Sequence, residues 1–398
     1  MKRRILIFSH AMEIGGAERS LLGLLEAIDQ SKYDVDLFLM RHQGELLKFI
    51  PDYVNFLPEI RPYTVLARPM LQILKEGHFI LAFGRLQGSI VARRYSKKMH
   101  YSTNEVALEY SHKYTKKWMP QINPSITYDI AISFLTPHYF VAEKVKAKKK
   151  IAWIHTDYSK INIDIESELK MWDAYDNIIS ISEAVSKSFL HTFPSLNKKV
   201  VVIENILPQK TIYQQMKNES VDLEQMKEGA IKLLSIGRYC EAKNFDNVPQ
   251  ILAEIRKYKI DVHWYLLGYG PDEKLIQKRI REAHMERYIH MLKKTDNPYP
   301  FIQACDLYIQ PSRYEGRCVT VKEAQMLGKP VIITRYETSF SQLEENVDGV
   351  IVEMNNVECA EGIVRLLKDK EKIKKIVSVC KTRDYSNMEE IEKFYQLI

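Results

Sequence analysis

The amino-acid sequence predicts an α/β protein of two Rossmann-like units, each a parallel sheet wrapped by crossover helices. Three observations lead there. At 398 residues the chain exceeds the ~250–300 residues at which a single core stops growing, so two cores are expected. Strand-like apolar runs alternate with helical periods along most of the chain, the pattern of a parallel sheet covered by helices. That alternation lapses in a polar segment near the middle and then restarts.

Arg4 to Ser9 reads as the first buried strand. A glycine turn, Gly15-Gly16, then opens a helix whose apolar residues Leu21, Leu24, Leu25 and Ile28 recur at helical spacing. Val35 to Met40, Asp129 to Phe134, Ile151 to Ile154, Asn177 to Ile181 and Val200 to Ile203 are the further strands of this half; residues 42 to 127 give no ordered pattern. The first unit is placed at 1–207. Residues 208–229 are polar, without a strand signature, and are expected to connect the units. Strands resume with Lys232 to Ile236, Val262 to Leu267, Tyr288 to Leu292, Leu307 to Gln310, Val331 to Thr334 and Val350 to Val352, which places the second unit at 230–380. In 381–398, Ile391, Phe394 and Tyr395 recur at helical spacing, so a terminal helix is expected to pack back on the first unit.

Composition excludes several classes. Hydrophobic residues at 45% and charged residues at 27% argue against disorder, collagen-like repeats and long coiled coils. No apolar run approaches the ~20 residues of a membrane span, and the run after Met1 is too short for a signal peptide. A cytoplasmic chain is expected. Five cysteines, odd in number and without Cys-x-x-Cys spacing, indicate neither a disulfide frame nor a zinc site. The net charge of +7 resides in the first half, where residues 1–200 hold 28 Lys+Arg against 21 Asp+Glu. Its dense stretches are Arg93, Arg94, Lys97 and Lys98, then Lys113, Lys116 and Lys117, and Lys144 to Lys150. They read either as solvated helix faces or as a peripheral docking surface for anionic lipid, at the inner face of the cell membrane, or for phosphate-linked acceptors. No nucleic-acid motif accompanies the charge.

In open parallel sheets ligands bind beyond the carboxyl ends of the strands, which selects four segments. Gly15-Gly16-Ala17-Glu18-Arg19 opens a helix, where small residues and unpaired amides suit phosphate, although a plain tight turn explains it equally. Gly237-Arg238, with Lys243-Asn244-Phe245 following, sets two cations where they would neutralise a diphosphate leaving group without a metal. In the segment Gln310 to Pro330, Glu315 could reach sugar hydroxyls, the amides of Gly316, Arg317, Cys318 and Val319 a diphosphate, and Glu323 a ribose diol; ordinary helix capping is the plainer reading. Finally, His155 in Trp153-Ile154-His155-Thr156 follows a strand of the first unit and could meet the donor sugar across the cleft, or serve structure alone.

In order and spacing these segments, together with Ile179 to Ser186, Gly268-Tyr269-Gly270-Pro271, Glu315-x7-Glu323, Ala324 and Gly328-Lys329-Pro330, resemble family 4 of the retaining glycosyltransferases, over nearly the whole chain. The resemblance implies a GT-B fold, two Rossmann-like β/α/β domains facing each other across a central cleft. It further implies a retaining, metal-independent transferase with no cofactor, taking a hexose or hexosamine from a nucleotide sugar, UDP-linked in the first place and GDP-mannose in the second. The acceptor would be a glycan or a lipid-linked molecule of bacterial capsular or other surface polysaccharide synthesis. By position, Arg238 and Lys243 would bind the donor diphosphate, Glu315 the transferred sugar and Glu323 the ribose, with Gly15, Gly16 and His155 on the opposite wall. Gly237, Gly268, Gly316, Arg317, Cys318 and Val319 would complete the donor-side contacts.

Two features depart from the family pattern. Glu315-Gly316-Arg317-Cys318 replaces the commoner Glu-Gly-Phe-Gly, which changes the placement of those amides and adds a cation, and Asn205-Ile206-Leu207-Pro208 replaces the usual turn. Asp34-Val35-Asp36 mimics a metal-binding Asp-x-Asp but stands at the start of a strand, so it is read as structural. A nicotinamide-dependent oxidoreductase is disfavoured because Gly268-Tyr269-Gly270 lacks the third glycine of that fingerprint. A non-catalytic nucleotide-sugar-binding or scaffold protein of a polysaccharide assembly complex stays as the alternative.

Overall fold

A computed structural model of the chain describes residues 2–101, 106–217, 226 and 229–398. It divides into two compact units, Met1–Asn205 with Glu389–Ile398, and Ile206–Met388.

The first unit holds seven parallel strands: β1 (Arg3–Ser9), β2 (Tyr33–Leu39), β3 (Asn55–Phe56), β4 (Tyr128–Ser133), β5 (Ala147–Ile154), β6 (Asn177–Ser180) and β7 (Val200–Val202). Their order across the sheet is β3-β2-β1-β4-β5-β6-β7. The chain therefore steps outward from β1 on one side, then returns to β4 on the other. In β1, Ile5 stands opposite Val35 and Ile130 at once, and Ile5 to Phe8 are completely buried. Helices cover both faces of such a sheet, which is why these strands read as unbroken apolar runs.

The second unit repeats the scheme with β8 (Ile231–Ile236), β9 (Val262–Leu267), β10 (Ile289–Leu292), β11 (Leu307–Gln310), β12 (Val331–Thr334) and β13 (Val350–Val352) in the order β10-β9-β8-β11-β12-β13. Leu234 of β8 faces Tyr265 and Tyr308, all three buried. In each unit the strand order reverses beside the first strand, between β1 and β4 and between β8 and β11. Loops leaving the two flanking strands diverge there and open a crevice at the carboxyl end.

The connection expected over 208–229 is corrected in part. Gln209–Met216 is a helix of the second unit: Ile212 is buried in that unit's core, and the Tyr213 hydroxyl donates to the Met326 carbonyl at 3.0 Å. One fully buried residue in eight leaves almost no periodic signal to read. Residues 218–225, 227 and 228 lie outside the described residues. At the other end, the helix Glu390–Leu397 belongs to the first unit: the Asp29 amide donates to the Tyr395 hydroxyl at 2.7 Å, and the Tyr395 and Tyr33 rings stack at 5.4 Å. Among the described residues no helix is long and apolar enough to cross a membrane.

Candidate active site

The second unit gathers Gly237, Arg238, Lys243, Gly268, Glu315, Gly316, Arg317, Cys318, Val319 and Glu323 around the carboxyl ends of β8, β9 and β11. Two loops are zipped backbone to backbone. Gly237 donates to the Leu267 carbonyl at 3.1 Å, Tyr239 donates to the Tyr269 carbonyl at 2.8 Å, and Asp272 donates to the Tyr239 carbonyl at 3.0 Å. This closeness requires glycine: a Cβ on Gly268 would fall on the Gly237 carbonyl oxygen, and one on Gly270 would fall on the Tyr239 backbone. The Gly-x-Gly after β9 therefore serves to fix the β8 loop.

The β8 loop then turns through Glu241–Lys243 into Asn244, which is left-handed (φ 60°) and buried. The turn sends Lys243 back over Gly237, where a Cβ would stand 3.1 Å from Lys243 Cε. Lys243 Nζ meets Glu315 Oε1 at 2.5 Å, joining the loop after β8 to the loop after β11 across the strand-order reversal. Burial opposes the Lys243 charge, but the Glu315 carboxylate outweighs it and holds the lysine pKa above its ordinary value. Lys243 is thus a fixed cation at any working pH. Arg238, five residues before it, is exposed and has no hydrogen-bond or ion-pair partner among the described residues.

Glu315 is built into its loop by residues the sequence reading did not single out. Ser312 Oγ donates to Glu315 Oε1 at 2.6 Å, Gln310 Nε2 donates to Ser312 Oγ at 2.9 Å, and Thr338 Oγ1 donates to the Glu315 carbonyl at 2.8 Å. Arg313 clamps the same loop to the β8 side through two bonds to Asp246, at 2.9 and 2.8 Å, and a backbone bond to Ala242 at 2.8 Å. Arg313 and Asp246 are 67 residues apart, so no spacing rule links them.

The amides expected to face a diphosphate are partly committed. The Cys318 N–H donates to Gln342 Oε1 at 2.7 Å, and Gln342 Nε2 donates back to the Cys318 carbonyl at 3.2 Å. Gln342 thereby ties the Cys318 backbone at the start of the helix Val319–Met326. The Cys318 side chain is buried, and burial pushes its thiol pKa up, so it packs as a small apolar group. Glu323, in the same helix, is fully buried and accepts from the Tyr299 hydroxyl at 3.0 Å.

In the first unit, Gly15 precedes the helix Gly16–Ala27 beside the β1/β4 reversal, with the Glu18 carboxylate folded over the position a Cβ would take. His155 lies one strand further, past β5, in the wall of a cavity of about 300 Å³ also lined by His112, His138, Glu109, Glu168 and Trp172. Burial pushes His155 down to about 4, so it is neutral at pH 7. Asp36 of the Asp-x-Asp is held by Tyr128 and Asn55 at 2.5 and 2.7 Å, and Asp34 pairs with Lys2. Both carboxylates serve the sheet. Among the described residues no cluster of three or more His, Cys, Asp or Glu forms.

Residues 217–381 match the family model described as glycosyl transferases group 1. The chain is 24% identical to N-acetylgalactosamine-N,N'-diacetylbacillosaminyl-diphospho-undecaprenol 4-alpha-N-acetylgalactosaminyltransferase of Campylobacter jejuni, over 96% of this chain and 94% of that protein. It is also 24% identical to N-acetyl-alpha-D-glucosaminyl L-malate synthase of Bacillus anthracis, over 47% of this chain and 50% of the other. The chain spans about half the length, or less, of the first curated relatives it matches. Among solved structures, Anabaena Alr3699/HepE in complex with UDP covers both chains completely, with a TM-score of 0.67 and 16% identity. WaaG, a glycosyltransferase involved in lipopolysaccharide biosynthesis, aligns over 98% of this chain and 99% of its own, with a TM-score of 0.60 and 12% identity.

Proposed function

We propose that this chain, whose residues 217–381 fall within glycosyl transferases group 1 and whose fold is GT-B, transfers a hexose or hexosamine from a nucleotide sugar to a glycan or lipid-linked acceptor in surface polysaccharide synthesis. The observation that carries the reading is the Lys243–Glu315 pair bridging the loops after β8 and β11, with Arg238 uncommitted beside it. A donor diphosphate supplies the anion this arrangement lacks. Lys243 and Arg238 take the charge that grows on the β-phosphate as the glycosidic bond breaks, and Glu315, released from part of its pairing, turns to the sugar hydroxyls. The acceptor hydroxyl attacks from the face the nucleotide leaves and passes its proton to the departing phosphate, which retains configuration and calls for no metal. The first unit's Gly15-Gly16 loop and the cavity beside His155 are assigned to the acceptor, and its basic face to an anionic membrane surface.

UDP is the favoured nucleotide, supported by the likeness to HepE bound to UDP. Arg238→Ala and Lys243→Ala should each lower kcat about a hundredfold or more while circular dichroism stays native; an unchanged kcat in either removes that residue from the mechanism. Glu323→Gln should weaken UDP binding about tenfold by calorimetry, and undisturbed affinity would contradict the ribose contact. Release of UDP from a UDP-sugar given an acceptor distinguishes transfer from mere binding. Donor binding without release would leave a nucleotide-sugar-binding or scaffold protein.

A further inference from the structure

The segment that leaves β12 is laced to the segment that leaves β11 by side chains at regular spacing. Thr334, Thr338 and Gln342 stand four residues apart, and Ser312, Glu315 and Cys318 stand three apart. Thr334 Oγ1 donates to the Ser312 carbonyl at 2.5 Å, Thr338 Oγ1 to the Glu315 carbonyl at 2.8 Å, and Gln342 Nε2 to the Cys318 carbonyl at 3.2 Å. All three lacing residues are buried. The backbone that carries Glu315 is therefore fixed at three points, which leaves its side chain as the part free to answer a ligand.

Tyr336 sits inside this lacing and takes no part in it. The chain folds back there: the Arg335 N–H still donates to the Val352 carbonyl at 2.8 Å, whereas the Tyr336 N–H donates to the Thr334 carbonyl at 2.9 Å, two residues behind it. Tyr336 is 1% exposed, and its hydroxyl has no hydrogen-bond partner among the described residues. The groups whose charge reaches this hydroxyl are Cys318, Glu315 and Arg317, all on the laced segment. Burial, reinforced by Cys318 and Glu315 and opposed by Arg317, holds the phenol pKa well above its ordinary value, so the group stays an O–H donor. A buried hydroxyl without a partner destabilises the folded chain, and a phenylalanine ring would fill the same space without that penalty.

Of the three neighbours, Arg317 only donates, the buried Cys318 thiol stays protonated, and the Glu315 carboxylate accepts. Lys243 Nζ and Ser312 Oγ both meet Glu315 at Oε1. A diphosphate that draws Lys243 to itself takes the counter-charge from a carboxylate that is 11% exposed. We infer that Tyr336 is a positioning residue for the donor sugar: its hydroxyl donates to the Glu315 carboxylate when a nucleotide sugar engages Lys243, and so fixes the direction in which that carboxylate meets the sugar hydroxyls. This rests on the reading of the β8 and β11 loops as the donor site. With nucleoside diphosphate alone, the place of the sugar is open to water, which solvates Glu315 instead; a bound sugar excludes that water and makes the tyrosine contact count.

Calorimetric titration of the full chain and of Tyr336→Phe tests it, with UDP and with whichever of UDP-glucose, UDP-galactose and their 2-acetamido counterparts binds wild type most tightly. Without ligand, Tyr336→Phe should melt about 2–4 °C above wild type. It should keep its UDP affinity within about threefold and bind the UDP-sugar about tenfold more weakly. In a Glu315→Gln background the same change should cost no more than about twofold in UDP-sugar affinity, because the hydroxyl acts through the carboxylate. A Tyr336→Phe variant that binds the UDP-sugar as wild type does overturns the inference. So does one whose melting temperature and affinities for UDP and UDP-sugar all fall together, as for a residue that only packs, and so does an undiminished loss in the Glu315→Gln background. Each of these results leaves the donor-site reading standing while wild type still binds UDP, whereas a wild-type chain that binds neither UDP nor any of the UDP-sugars removes both.

Discussion

At the scale of single residues, Lys243 and Glu315 do two things at once. They pin two loops together, and each holds a charge ready for a ligand. Both side chains are largely buried, at 19% and 11% exposure, so removing one partner strands the other in a poorly solvated place. Lys243→Met should cost on the order of 3 kcal/mol in urea unfolding, and Lys243→Met/Glu315→Gln should recover most of that loss while activity stays absent. Additive destabilisation in the double variant would mean that the two residues act separately. The residues of this pair were legible because each follows a strand at the spacing of a known family. Their supports were not: Ser312, Thr338 and the Arg313–Asp246 clamp are joined only by the fold, across 3, 23 and 67 residues of sequence. Gln342 is the clearest case. The sequence shows Cys318 where the family pattern has glycine, but nothing in it says that a side chain 24 residues later holds the Cys318 backbone.

At the scale of elements, strands were the most legible, because burial on both faces of a parallel sheet leaves apolar runs that need no periodicity. Two places resisted. The two-residue strand β3 is exposed and too short to leave any pattern. Residues 42–127 resisted because the helix Phe79–Lys98 wears most of its large apolar residues outside, with Leu81 buried, so that reading apolar residues as the inner face assigns the wrong side. The Gly268-Tyr269-Gly270 turn was visible, but its purpose is a backbone contact rather than a dinucleotide contact. Gly268→Ala should therefore destabilise the second unit by on the order of 3 kcal/mol, because the Gly237 carbonyl cannot move without breaking its bond pattern with β9. Near-native stability in that variant would show that the two loops can separate cheaply.

At the scale of the whole molecule, the two units place their ionisable groups differently. The second unit keeps its buried cation paired. The first unit buries His112 and His138 with burial pushing each down to about 3, His155 down to about 4, and Glu168 up to about 7. A histidine whose folded pKa is depressed stays neutral in the folded chain and binds a proton only when unfolded. Stability therefore falls as pH drops from about 6.5 toward 4, by on the order of 3 kcal/mol or more for each of His112 and His138. Glu168 acts with the opposite sign: its raised pKa favours the folded state at low pH, and that contribution is lost as pH rises from about 4.5 to 7. Burial also lowers the pKa of His10 and raises that of Glu109, so four histidines stand against two carboxyls; the melting temperature should fall on acidification from pH 6.5 to 4.5, and His138→Gln, if it folds, should flatten that fall. A melting temperature that rises over the same interval would contradict these burial assignments.

In the proposed function, the β8 and β11 loops of the second unit form a metal-independent site for a nucleoside diphosphate. The thermal shift of the full chain with UDP, GDP and ADP, with and without EDTA, addresses it most directly, since a ligand that binds only the folded state raises the melting temperature. Stabilisation by UDP above the other two, unchanged by EDTA and lost in Lys243→Ala, is the expected result. No stabilisation by any of the three, or stabilisation that EDTA removes, would contradict it.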